Sequence, residues 1–210
     1  MKDKVVIAIS GGVDSSVAAL LLKQQGHEVA GITMSLGAAA GAGGAKCCGL
    51  REIEDAGRVC KMLGIPHDIM DFSADLEERV VRPFLEEYKR GRTPNPCVAC
   101  NRDIKFGTLL DKVMALGFDC IATGHYAKIE RREGKSFLKR SIETRKDQTY
   151  FLHAIRREAL ARIRFPLADL TKEEVRQIAR KNGIPVSDKE ESQDICFIPD
   201  QGYGEFLRTR

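Results

Sequence analysis

The chain alternates short apolar runs with stretches in which apolar residues recur every three or four positions. Val5 to Ile9, Val29 to Met34, His67 to Phe72 and Cys120 to Thr123 read as strands. Ser15 to Gln25, Leu50 to Leu63 and Ile104 to Leu116 carry helical spacing, and an acidic amphipathic helix is expected around Leu76 to Arg90. Gly26, Gly64 and Gly117 each follow a helix where a left-handed cap residue belongs. The alternation predicts an α/β fold, a doubly wound and mostly parallel sheet with helices on both faces. Ligands in such sheets bind at the carboxyl ends of the strands.

Three segments break the alternation. Leu36 to Lys46 is made almost wholly of Gly and Ala, too little bulk to pack, and reads as a mobile loop or linker. Tyr126 to Ile142 alternates apolar and charged residues around Glu133-Gly134-Lys135, which predicts a β-hairpin. Short helices are expected from Asp147 onward, forming a small helical appendage. There Thr171 followed by Glu174 has the spacing of a capping box. No helix cap is visible in the closing Gly204 to Arg210.

Composition narrows the picture. A chain of 210 residues, 43% hydrophobic, can bury one substantial core. Only five apolar residues follow the charged Met1-Lys2-Asp3-Lys4 start and no run reaches membrane-spanning length, so a cytoplasmic protein with no membrane partner is expected. Seven cysteines in such a chain argue for reduced thiols, metal or catalysis rather than a disulfide framework. The net charge is only +4, but from Lys128 to Lys181 there is an excess of about eight positive charges. A solvated basic face and a nucleic-acid surface both fit that stretch.

Two stretches carry chemistry. Ser10-Gly11-Gly12-Val13-Asp14-Ser15-Ser16 sits where the first strand hands over to the first helix. Free N–H groups at a helix start favour phosphate, and two glycines let the backbone approach it. No Gly-Lys-Ser/Thr follows, which excludes a Walker phosphate loop. The second stretch, Gly91 to Asn101, holds Pro94 and Pro96, which stiffen an exposed loop ending in Cys97-Val98-Ala99-Cys100. Cys97 and Cys100 have the spacing of a metal half-site or a redox dithiol. With the distant Cys196 they offer three thiols, enough for a [4Fe–4S] cluster with one open iron.

The loop Ser10 to Ser16 resembles the pyrophosphate loop of N-type ATP pyrophosphatases. Six further motifs follow in order: Thr93-Pro94-Asn95-Pro96 ending in Cys100-Asn101, Ile104-Lys105-Phe106-Gly107, Ala122-Thr123-Gly124-His125-Tyr126, Lys146-Asp147-Gln148-Thr149-Tyr150-Phe151, Phe165-Pro166-Leu167 and Ser192-Gln193-Asp194-Ile195-Cys196-Phe197. Together they span almost the whole chain, which is similar to the tRNA-specific 2-thiouridylase family. The resemblance implies ATP with Mg²⁺, a wobble-uridine tRNA substrate, and a sulfur-donor protein or free sulfide as partner. It implies nucleotide contacts at Ala8, Ser10, Gly11, Gly12, Val13, Asp14, Ser15, Ser16, Met34 and Gly124, with Asp14 also placing a metal or ribose group. Asn95, Pro96 and Cys97 match a target-base loop, and Lys146, Asp147 and Gln148 match a tRNA-contacting motif. Residues 1–145 would form the ATP pyrophosphatase domain and 146–210 a helical continuation of the same catalytic unit. Family members continue into a linking domain and a β-barrel, so this chain reads as a short form, a fragment, or a subunit completed by a partner, with a homodimer among the options.

A uracil C2 carbonyl is a poor electrophile, so adenylating its oxygen, with pyrophosphate leaving, must precede sulfur entry. Two sulfur routes follow. In one, Cys196 carries a persulfide and Cys100 resolves it through a disulfide. In the other, Cys97, Cys100 and Cys196 hold the cluster and an iron-bound hydrosulfide attacks. Many relatives carry Asp in place of Cys97, and three soft ligands here favour the cluster. Rival readings are another pyrophosphatase chemistry on a small molecule, and a tRNA-binding or sulfur-carrying module without turnover. Cys60 and Cys120 read as core thiols, Cys47-Cys48 as exposed loop thiols, and His125 and Lys105 as residues that either touch the ligand or serve the packing.

Overall fold

A computed structural model of the chain describes residues 2–37, 49–189, 195–198 and 202–210. The expectations for residues 38–46, for Cys47-Cys48 and for Ser192, Gln193 and Asp194 lie outside the described residues. In chain order the elements begin with β1 (Lys4–Ala8), α1 (Val13–Gln24), β2 (Glu28–Ser35), α2 (Leu50–Leu63) and β3 (His67–Asp71). Next come α3 (Ser73–Leu76) and α4 (Arg82–Lys89), joined by a π-helical turn over Glu77–Val81. A second run holds α5 (Pro96–Ala99), a π-helical stretch Cys100–Thr108 and α6 (Leu109–Ala115). The remainder is β4 (Cys120–Ala122), β5 (Lys128–Arg132), β6 (Lys135–Lys139), α7 (Thr149–Leu152), β7 (Ile163–Arg164), α8 (Lys172–Lys181) and α9 (Tyr203–Arg208).

The expected doubly wound sheet is present. Five strands run parallel in the order β3-β2-β1-β4-β7, while β5 and β6 form a separate antiparallel hairpin. Strand side chains alternate between faces, so Val5 and Ile7 of β1 join one apolar cluster and Val6 joins the other. The first cluster includes Val17, Ala18 and Leu22 of α1, Val59 and Leu63 of α2, and Val175 and Ala179 of α8. The second takes Leu76, Val81 and Phe84, then Ile104, Phe106 and Leu109, and Phe206 of α9. Each fully buried Leu, Ile, Val or Phe contributes about 1.5–3 kcal/mol. Helices therefore cover both faces of the sheet.

Several local expectations match the backbone. Gly26, Gly64 and Gly117 all have positive φ (83°, 61° and 83°), and Glu133 and Gly134 (49° and 71°) turn the hairpin with both central residues left-handed. Thr171 accepts from the Glu174 N–H while Glu174 accepts from the Thr171 N–H, closing the capping box at the start of α8.

Other expectations need correction. Leu36 is buried in the core rather than part of an unpacked loop. The helix expected from Ile104 begins at Pro96, because Asn95 Oδ1 accepts from the Cys97 and Val98 N–H groups (3.1 and 3.4 Å) and Pro96 takes the first helical position. Cys97 and Cys100 therefore stand on a helix start, not within an exposed loop. β7, two residues long, was not legible in the pattern, whereas α9 falls within the helical appendage expected after Asp147.

Candidate nucleotide cleft and thiol groove

Strand order reverses between β1 and β4, and there a cleft of about 210 Å³ opens at the carboxyl ends of the strands. Ala8, Ile9, Ser10, Asp14 and Ser15 line one side, Ile32 and Met34 the end of β2, and Thr123, Gly124 and His125 the end of β4; Lys105 and Gln148 complete it. Ser15 Oγ draws the loop closed, donating to the Gly12 carbonyl (3.1 Å) and accepting from the Ser10 N–H (3.2 Å). The N-cap of α1 is Gly12, which supplies no side-chain cap. The first N–H groups of this twelve-residue helix thus favour an anion at the cleft.

Gly124 must be glycine. A Cβ there would stand 2.7 Å from Asp14 C and from Ser15 N, so the β4 loop and the phosphate loop are in direct backbone contact. Gly11 is similarly confined, with φ +69° and a would-be Cβ 2.3 Å from the Glu52 carbonyl oxygen of α2. Gly12, Val13 and Ser16 shape the loop without lining the cleft.

The structure adds a partner to Asp14 that the sequence reading missed. Lys172 Nζ lies 2.7 and 2.8 Å from its two carboxylate oxygens, and the Tyr126 hydroxyl donates to Oδ1 at 2.9 Å. The Lys172 side chain is only 13% exposed. A lysine in the first turn of a helix opposes the helix dipole, and that misfit was the available signal. Both carboxylate oxygens of Asp14, the residue expected to place a metal or ribose group, thus meet donors of this chain.

His125 is enclosed by Phe106 and Phe165 (ring centroids 6.0 and 6.1 Å) and its Nδ1 meets Thr123 Oγ1 at 2.8 Å. Burial, aided by the charge of Lys105, holds its pKa well below 6.5, so the imidazole is neutral at pH 7.

A second, larger groove of about 400 Å³ lies beside the first. Thr93 to Cys97 form one wall, and Phe84, Tyr88, Tyr150, Phe151, Ile195 and Tyr203 the rest. Gln148 lines the cleft while Tyr150 and Phe151 line the groove, so one short segment separates the two. Asn101 fixes that segment, donating from Nδ2 to the Phe151 carbonyl (3.0 Å).

Of the three thiols, Cys97 borders the groove, Cys100 is buried in the core beside it, and Cys196 is half-buried against the same core. Among the described residues, no three or more His, Cys, Asp or Glu side chains stand together so as to hold a metal ion. Cys100 and Cys196, two of the three thiols read as cluster ligands, belong to one apolar core, and Cys97 stands one helical turn before Cys100. Cys60 and Cys120 are buried, as expected for core thiols, and burial raises the Cys60 pKa to about 11.

The presumed RNA-contacting motif is also used internally. Gln148 Oε1 accepts from the Tyr126 N–H (2.8 Å), and Asp147 accepts from the Thr149 hydroxyl (2.6 Å). Much of the basic stretch is locally paired, including Lys128 with Asp169, Lys139 with Glu130 and Arg180 with Asp188. Among the described residues no helix is long and apolar enough to cross a membrane.

A parallel sheet with a phosphate loop at its switch point and a second strand-end loop pressed against it defines an adenine nucleotide alpha hydrolase-like protein. The chain belongs to the family described as tRNA methyl transferase HUP domain, which matches residues 3–200. It is 55% identical over 210 residues to tRNA-specific 2-thiouridylase MnmA 1 of Syntrophus aciditrophicus, covering all of this chain and 56% of that one. It is 47% identical over 215 residues to tRNA-specific 2-thiouridylase MnmA of Carboxydothermus hydrogenoformans, covering 100% and 59%. The chain thus spans less than two thirds of the length of these relatives. A solved 4-thiouridine synthetase in complex with RNA and bound ATP shares the fold (TM-score 0.56, 16% identity, 99% of this chain and 50% of that one).

Proposed function

We propose that this chain is the catalytic part of an ATP-dependent tRNA-uridine 2-sulfurtransferase, with ATP in the cleft and the target uridine in the groove. The observation that carries the reading is the shared wall: Gln148 faces the phosphate-loop cleft and Tyr150 and Phe151 face the thiol groove. Activation and sulfur delivery can then reach one base from two sides. That the chain's relatives are tRNA-specific 2-thiouridylases supports this chemistry. Residues 146–210 serve the same unit, since Lys172 grips Asp14 and β7 completes the sheet.

The uridine O2 attacks the α-phosphorus of ATP, the bond to pyrophosphate breaks, and the loop from Ser10 to Ser16 holds the departing phosphates. Of the two sulfur routes we take the relay, whose two thiols, Cys100 and Cys196, belong to one core. A persulfide on the half-buried Cys196 attacks C2 and AMP leaves, giving a base–sulfur–sulfur–Cys196 adduct. The thiolate of the buried Cys100 then attacks Cys196 Sγ, releasing 2-thiouridine and a disulfide that a cellular thiol must reduce. The Cys196 persulfide is loaded by transfer of persulfide sulfur from a donor. Nucleoside mass spectrometry of tRNA incubated with the protein, ATP, Mg²⁺, a persulfide sulfur donor and a reducing thiol should show 2-thiouridine. Asp14→Ala should abolish both product and pyrophosphate; pyrophosphate release at the wild-type rate would show that the loop is misassigned.

A further inference from the structure

Lys189 belongs to none of the motifs, yet its ammonium stands against the phosphate loop. Nζ lies 2.7 Å from Asp55 Oδ2, 3.4 Å from Glu52 Oε1 and 3.4 Å from the Gly11 carbonyl oxygen. The carboxylate side chains are only 13% and 21% exposed, so water screens them poorly. The first turns of α2 press on the loop at Gly11, where even a methyl group would not fit. Two carboxylates therefore sit beside the place where a polyphosphate would bind. Arg58 pairs with Asp55 from an exposed position, which leaves Lys189 as the shared partner of Asp55, Glu52 and the loop. Burial pushes the Asp55 carboxyl up, but hydrogen bonds from Lys189 and Arg58 more than offset this and keep it ionised.

We propose that Lys189 is a positioning residue of the nucleotide site: it cancels the charge that Asp55 and Glu52 would present to a polyphosphate. The inference rests on the reading of the cleft as an ATP site. It makes a distinctive claim, because the lysine acts on the anion through two carboxylates and not by touching the phosphates. Removing it should then matter only while those carboxylates remain.

The test is equilibrium binding of Mg-ATP and of adenosine to the full chain. Lys189→Met should weaken ATP about tenfold and leave adenosine within about twofold, and Lys189→Arg should restore most of the loss. The triple variant Lys189→Met, Asp55→Asn, Glu52→Gln should bind ATP within about threefold of wild type. Equal ATP binding by wild type and Lys189→Met would overturn the proposal. So would equal losses of ATP and adenosine, which mark a purely structural role, or a triple variant as weak as the single one, which marks direct phosphate contact. A wild-type protein that binds no ATP would instead sink the reading of the cleft itself.

Discussion

The nucleotide cleft and the thiol groove share a wall but are built by different means. The cleft hangs on the ends of β1, β2 and β4, and its geometry follows from a sheet whose register is fixed over whole strands. The groove is assembled from a proline-stiffened loop, residues of α4, α5 and α7, and residues near the end of the described chain. Sheet ends are rigid because buried neighbours on both faces hold them. A groove built from a loop and short helices lacks that shared register. Under the proposed function, the rigid side would bind the anion and the other would carry the thiol chemistry.

The largest effect should come from the groove and leave the cleft untouched. Cys196→Ser should lower tRNA thiolation about 10³-fold or more, since the nucleophile itself is gone, while Mg-ATP affinity stays within about twofold. Nucleoside mass spectrometry and ATP titration of the same preparation read the two sites separately. Loss of ATP binding in this variant would break the division between a rigid anion site and a separate sulfur site.

The cleft can be broken with one methyl group. Gly124→Ala places a Cβ 2.7 Å from the backbone of Asp14 and Ser15, where no flexible side chain can yield. Overpacking of this kind costs about 1–3 kcal/mol, which as lost ATP affinity is roughly ten- to hundredfold. Thr149→Ala on the wall would be a poor control because its hydroxyl holds Asp147. Unchanged ATP affinity in Gly124→Ala would show that the two loops move independently.

The contrast also explains what the sequence disclosed. Val5 to Ile9 followed by two glycines and two serines announces a strand, a turn and a helix start within a dozen residues, so the cleft was legible from local pattern alone. Gly124 was named, but the reason it cannot carry a side chain lies 110 positions away at Asp14. Lys172 and Lys189 escaped notice because their partners, Asp14, Glu52 and Asp55, are brought near only by the packing of α8 and α2 beside α1. Cys97, Cys100 and Cys196 stood out by residue type and spacing, whereas the helix that Asn95 starts, which carries Cys97, did not.

A smaller effect tests the enclosure of the cleft at its β4 end. His125 is neutral in the fold because burial and Lys105 depress its pKa, whereas in the unfolded chain it titrates near 6.5. Below that pH the unfolded state binds a proton that the folded state refuses, so stability is full above pH 6.5 and falls as the pH drops. The slope approaches about 1.4 kcal/mol per pH unit for one such group. His67, also depressed by burial, adds to it. Urea unfolding between pH 7 and 5, above the range where carboxylates protonate, should show this slope in wild type and a reduced one in His125→Asn, whatever that variant's absolute stability. An unchanged slope would mean that the imidazole takes up its proton inside the fold, and the cleft would then be wetter at the β4 end than Phe106 and Phe165 make it.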